Sequence, residues 1–119
     1  CLTGARVMCI NKTARTLTYV EYGVPKVSIW ARFGAPATPT REGTFYVFAK
    51  YAYVISNLYG SPMPLSMFFS GGEAVHYSSG FARIGYAGYS HGCVNIKDYN
   101  TLQWIFGRVR LGDKVVVYH

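Results

Sequence analysis

The chain has 119 residues and a mass of 13.3 kDa, half apolar or aromatic and only 14% charged. This excludes intrinsic disorder and fits one domain, residues 1–119, with a single buried core. Twelve Lys and Arg against 5 Asp and Glu give +7, a balance that attracts polyanions without choosing among nucleic acid, anionic lipid and wall polymers; the scattered carboxylates Glu21, Glu42, Glu73, Asp98 and Asp113 argue against a paired-carboxylate glycosidase and an acidic calcium or magnesium cluster.

No apolar run reaches the ~18 residues of a membrane span, and no leader is recognisable, so the chain reads from Cys1 as a mature or trimmed domain. The first half predicts strands. Arg6 to Asn11, Thr16 to Tyr22 and Val27 to Phe33 are β-branched and aromatic runs. Asn11 to Ala14 and Gly23-Val24-Pro25 read as the turns between them. Gly34 to Gly43 predicts an ordered loop, Thr44 to Tyr53 one strand, and Gly60 to Pro64 a second loop. Leu65 to Ser70 and Glu73 to Tyr77 predict strands around Gly71-Gly72. A single helix is expected after Asp98, which caps it. Tyr99, Leu102, Ile105 or Phe106, and Val109 recur at helical spacing, Gly107 marks the exit, and Lys114 to Tyr118 closes the chain as a strand. The expected fold is mainly β, a β-sandwich of mixed sheets with one main helix near the C-terminus.

Chemistry concentrates in Ser90-His91-Gly92-Cys93-Val94-Asn95, with His76 lying 17 positions before the cysteine. A thiol that transfers acyl groups needs a base, a group that orients the base, and amide donors for the oxyanion. His76 fits the base. Gly92 allows close backbone approach, so the Gly92 and Cys93 amides could face an oxyanion. No acid is near in sequence, which leaves a backbone carbonyl to orient the imidazole. The plainer reading makes Cys93 a small core residue. His76, His91 and Cys93 are legitimate zinc ligands, yet their spacing fits no finger or ribbon. The aromatic content admits a single-strand nucleic-acid binder, although the aromatics alternate along strands as core and pocket walls do. Tyr51, Tyr53 and Tyr59 suit either a lid over the thiol or an ordinary sheet face.

These residues resemble the signature of the L,D-transpeptidases of the YkuD type: a histidine, a spacer, then Ser/Thr-His-Gly-Cys, a hydrophobic residue, and Asn or Arg. Thr38-Pro39-Thr40-Arg41-Glu42-Gly43-Thr44-Phe45 resembles the family's Thr-Pro-x-Gly-x-Phe segment with an insertion. Pro62-Met63-Pro64 with Phe68-Phe69 resembles the donor-pocket segment, and Gly71-Gly72 to His76 the strand entering the active site. Gly112 to Val117 resembles the closing strand. The resemblance implies Cys93 as nucleophile, His76 as base, and the Tyr77 carbonyl as its orienting group. It implies His91, Gly92 and Cys93 as the oxyanion hole, and Ser90 and Asn95 as braces of the loop on the substrate side. Met63, Pro64, Phe68, Gly71 and Gly72 would bind the substrate.

The implied reaction is acyl exchange on peptidoglycan stem peptides, releasing D-alanine and forming 3→3 cross-links, with water as acceptor in a carboxypeptidase variant. It calls for no cofactor and no metal, and for a monomer without specific nucleic-acid binding. Carbapenems would be covalent inhibitors, and the location would be extracytoplasmic. With Cys93 kept as a thiol, Cys1 and Cys9 are left to form a disulfide, as an oxidising compartment allows. A lipid-modified Cys1, or a chain merely cut there, are the competing readings.

Overall fold

The computed structural model describes every residue except residue 2 and residues 57–59. Nine strands, β1 (Arg6–Asn11), β2 (Thr16–Glu21), β3 (Val24–Arg32), β4 (Gly43–Tyr46), β5 (Ala49–Tyr51), β6 (Ser66–Ser70), β7 (Glu73–Tyr77), β8 (Val94–Ile96) and β9 (Lys114–Tyr118), share one hydrogen-bonded order, β4-β9-β1-β2-β3-β8-β7-β6-β5. The pairs β1–β9 and β7–β8 are parallel and the rest antiparallel, so the sheet is mixed. Two helices join it, α1 (Ser79–Ile84) and α2 (Tyr99–Arg108). The mainly β architecture with its principal helix near the C-terminus is the expected one.

The order of strands explains how the sheet closes on itself. Its two ends, β4 and β5, are separated in the chain only by Val47 and Phe48. Val47 is buried and exchanges backbone bonds with the turn before β9, receiving from Gly112 and donating to Asp113. Phe48 N–H donates to Phe68 O on β6. The single strand expected over Thr44 to Tyr53 is therefore two strands with different partners. The chain turns a corner there, passing from one end of the sheet to the other. Phe45 and Phe69 meet across that corner, ring centroids 5.4 Å apart.

Local chemistry accounts for most of the remaining turns. Tyr22 and Gly23 both have positive φ, 49° and 80°, the pattern of a two-residue hairpin turn whose twist matches that of its strands. β3 accordingly starts at Val24 rather than Val27, with Pro25 paired opposite Val20 at a bulge. At the other hairpin, Asn11 Oδ1 accepts from Ala14 N–H at 3.0 Å.

The helix α2 fills the concave side of the sheet. Leu102 and Ile105 join Met8, Ile10, Leu17, Tyr19, Met67, Val75 and Ile96 in one core. Asp98 caps it through its carboxylate, which accepts from Thr101 N–H at 3.0 Å. Gly107 lies inside the helix, and Val109 ends it in extended conformation. There the Phe106 and Val109 carbonyls accept from Lys50 Nζ on β5, so a cation closes the negative end of the helix. The outer face of β1 carries Val7 and Cys9. The Cys1–Cys9 disulfide ties the start of the chain to that face, Cα atoms 6.1 Å apart.

The expectation of one helix omitted α1, which lies inside the crossover from β7 to β8. Parallel neighbours cannot be joined by a tight turn and need such a crossover. Ser78 caps α1 by accepting from Phe81 N–H at 3.1 Å. Gly80 inside so short a helix weakens its helical signal in sequence.

Candidate active site

Three hydrogen-bonded strands build the centre of the site. Asn95 on β8 is in register with His76 on β7 and with Arg32 on β3. Residues in register share a face of the sheet, so Arg32, Asn95 and His76 stand in a row. All three are buried. His76 Nδ1 lies 2.6 Å from Tyr77 O. A carbonyl only accepts, so Nδ1 carries the proton and Nε2 keeps its lone pair. Asn95 Nδ2 donates to that lone pair at 3.3 Å. Asn95 Oδ1 accepts from Arg32 Nε at 3.0 Å, which fixes which way the amide faces.

The loop carrying the thiol is held by Ser90. Its N–H donates to Phe33 O at 3.0 Å, and its hydroxyl donates to Cys93 O at 2.5 Å while accepting from Gly92 N–H at 3.1 Å. Two glycines are required here. A Cβ on Gly34 would sit 1.8 Å from Thr38 O and 3.0 Å from Gly92 N, so only glycine lets these backbones close. Gly92 has φ +119°, and a Cβ on it would meet Glu73 Oε2 at 3.1 Å, a conformation L side chains rarely adopt.

Cys93 is half-buried and directly precedes β8. Strand alternation places it, two residues before Asn95, on the face of His76. Its Sγ–H donates to Gly72 O at 3.7 Å, and among the described residues no hydrogen bond joins it to His76. Burial pushes the thiol up; the Ala74 amide draws it back, and the Glu73 carboxylate adds to the rise. Burial lowers His76, against the pull of the Tyr77 carbonyl and with the help of Arg32. Both shifts favour a neutral thiol and a neutral imidazole.

One cleft of about 1120 Å³ contains this chemistry. Cys93, His76, Tyr77, His91, Ser90, Asn95, Met63, Pro64, Phe68, Gly71 and Gly72 all line it, whereas Gly92, expected in the oxyanion hole, does not. The Gly92 amide donates to Ser90 Oγ. Tyr51 and Tyr53 line the same cleft, Tyr51 also packing edge-on against Phe68; Tyr59 lies outside the described residues.

The sequence reading missed Arg32 and Glu73. The expectation of no nearby acid fails along the chain, where Glu73 precedes His76 by three residues, and in space. Glu73 packs beneath Gly92, accepts from Arg41 N–H at 3.0 Å and lies 3.7 Å from the Arg41 guanidinium. Burial raises its pKa, while that amide and the guanidinium oppose the rise. Its position three residues before His76 was a usable signal. Arg32, 63 residues from Asn95, offered none.

No curated protein matches the chain. Among solved structures, an L,D-transpeptidase from Mycobacterium smegmatis superposes with a TM-score of 0.86 at 26% identity, over 97% of this chain and 59% of that one. One from Stackebrandtia nassauensis gives 0.88 at 26% identity, over 98% and 57%. An L,D-transpeptidase determined in complex with imipenem gives 0.87 at 25%, over 96% and 59%. The chain thus spans less than two thirds of the length of each. Residues 5–117, nearly the whole chain and both flanks of the cleft, match the L,D-transpeptidase catalytic domain family, and the chain belongs to it.

Proposed function

We propose that residues 1–119 form the catalytic domain of a peptidoglycan L,D-transpeptidase of the cell envelope, working by transient acylation of Cys93. The observation that carries the reading is the placement of one thiol and one Nε2-unprotonated histidine on the same face of a single cleft. Met63, Pro64, Phe68, Gly71 and Gly72 hold the donor stem, and the protein acts as a monomer without a cofactor.

In this mechanism Cys93 leaves Gly72 O and turns to His76 Nε2, displacing the Asn95 N–H. Nε2 takes the thiol proton as Sγ attacks the carbonyl of stem residue three. The oxyanion is received by the Cys93 amide, with His91 and Gly92 contributing once Ser90 Oγ releases the loop. The Tyr77 carbonyl steadies the imidazolium through Nδ1–H. Collapse breaks the amide C–N bond, and the Nε2 proton passes to the departing D-alanine amine. A side-chain amine of a second stem then gives a proton to Nε2 and attacks the thioester, expelling the thiol and leaving a 3→3 cross-link. Water in that place yields the L,D-carboxypeptidase.

No described helix is long and apolar enough to cross a membrane. The Cys1–Cys9 disulfide favours an oxidising, extracytoplasmic location. Intact-mass measurement after incubation with a tetrapeptide muropeptide and, separately, with a carbapenem tests the reading. One acyl adduct on the parent chain and none on Cys93→Ala is expected. No adduct from either compound, together with tight, salt-resistant binding to single-stranded nucleic acid, would replace it with a binding module.

A further inference from the structure

We propose that Arg32 is a positioning residue for the base: its Nε–H holds the Asn95 amide so that the N–H side, not the carbonyl, faces His76 Nε2. The inference rests on the reading of His76 as the base. Its grounds are geometric. Arg32, Asn95 and His76 are consecutive in register across β3, β8 and β7, and their contacts are 3.0 and 3.3 Å. A guanidinium has only donors, so Asn95 must turn its oxygen toward it. The amide then has only N–H to offer the imidazole.

The opposite orientation would have opposite consequences. Asn95 Oδ1 aimed at Nε2 would accept a hydrogen bond from a protonated ring and favour imidazolium, which cannot take a proton from Cys93. Arg32 is itself well fixed. Its Nη1 donates to Gly85 O at 3.1 Å and its Nη2 reaches Ser78 Oγ at 3.4 Å. Gly88 leaves room for it, since a Cβ there would fall 2.9 Å from Nη1. Among the described residues no carboxylate pairs with this buried guanidinium. A buried cation without an acid is costly to keep, and a neutral side chain of similar length would fill the space without that cost. The sheet keeps there a group that can only donate.

Other titratable groups of the cleft are Cys93 and His91 on the loop, Glu73 on β7, Arg83 on α1, Arg41 before β4, and Tyr51, Tyr53, Tyr77 and Tyr89. Arg32 is the one whose charge weighs on the imidazole. Charge and orientation therefore have to be separated by experiment.

The test is an NMR titration of the His76 ring nitrogens, without substrate, in the parent, Arg32→Met, Asn95→Ala and the double variant. Arg32→Met should raise the His76 midpoint by about one pH unit, a tenfold smaller neutral fraction at acid pH. In the Asn95→Ala background the same substitution should have a much smaller effect, because its route to the ring is gone. An unmoved midpoint in folded Arg32→Met overturns the proposal. A full shift that persists without Asn95 also overturns it, by assigning the effect to charge alone. Should Arg32→Met fail to fold, Arg32→Lys carries the same comparison, since lysine lacks the lateral Nε–H. Because no substrate is present, failure here is distinguishable from failure of the muropeptide assignment, which the mass measurement reads.

Discussion

Cys93 and His76 lie on one face but do not pair at rest, and this sets how the thiol should behave. Burial holds Cys93 above the ordinary thiol range, with the Glu73 charge adding to it, so its deprotonated form is scarce at neutral pH. Alkylation of the native, non-reduced chain by iodoacetamide should modify Cys93 alone, with a rate that keeps rising past the pH at which a free thiol levels off. Reduction with unfolding should add Cys1 and Cys9. Peptide mass mapping across a pH series checks both statements, and modification of Cys1 or Cys9 before reduction would contradict the disulfide. For acyl transfer, the base should be worth ~10²–10⁴-fold. His76→Ala should slow carbapenem acylation by that factor in stopped-flow measurements while the circular dichroism spectrum stays unchanged. Parent-like acylation by that variant would remove His76 from the mechanism.

At the scale of elements, α2 depends on a partner far away in the chain. Lys50 on β5 donates to the carbonyls of Phe106 and Val109 and lies 4.4 Å from the centre of the Phe106 ring. Burial lowers its pKa, opposed by the Asp113 charge. Lys50→Met would leave the helix end without its donor, and hydrogen bonds to charged groups contribute about 1.5–3 kcal/mol. The unfolding free energy from urea denaturation should fall by an amount in that range, and a value equal to the parent's would refute the capping role. The loop before β8 makes a different demand. Gly92→Ala faces both a positive φ and the Glu73 carboxylate, so the loop should shift. Carbapenem acylation should drop sharply while the thermal transition moves only a few degrees, and near-parent acylation would show that the loop tolerates a side chain.

Across the whole molecule, a polar cluster of buried Glu21 and Tyr19 with exposed Arg108 links the helix to the sheet. Arg108 of α2 donates to both Glu21 oxygens, at 2.6 and 2.9 Å, and Tyr19 O–H donates to Glu21 at 2.7 Å. These bonds hold the Glu21 carboxyl down to about 2, from an ordinary 4.5. A depressed carboxyl contributes stability that is present above its unfolded pKa and lost as pH falls through the folded value. The parent should therefore lose stability between about pH 4.5 and 2, measured as a falling urea midpoint. In Arg108→Met that part of the acid dependence should shrink, and an identical slope in both proteins would refute the assignment.

The composition and periodicity of the chain determined a β-rich domain, the position and cap of α2, the closing strand, and a His76–Cys93 constellation. Each of these rests on residues close together in sequence, where hairpin turns, helical spacing and a short motif are local properties. Tertiary structure alone decided the switch of partners at Val47-Phe48, the strand β8, and the company that Asn95 keeps. Val94–Ile96 is too short to announce itself as a strand and becomes one only because β3 and β7 supply ladders on both sides. Register between distant strands is a global property of the sheet, fixed when the core of both halves closes around α2. That register carries Arg32 to Asn95 and Asn95 to His76, and the hairpin before β7 brings Glu73 beneath Gly92. The sequence singled out Cys93 and His76, while the fold chose the neighbours that surround them.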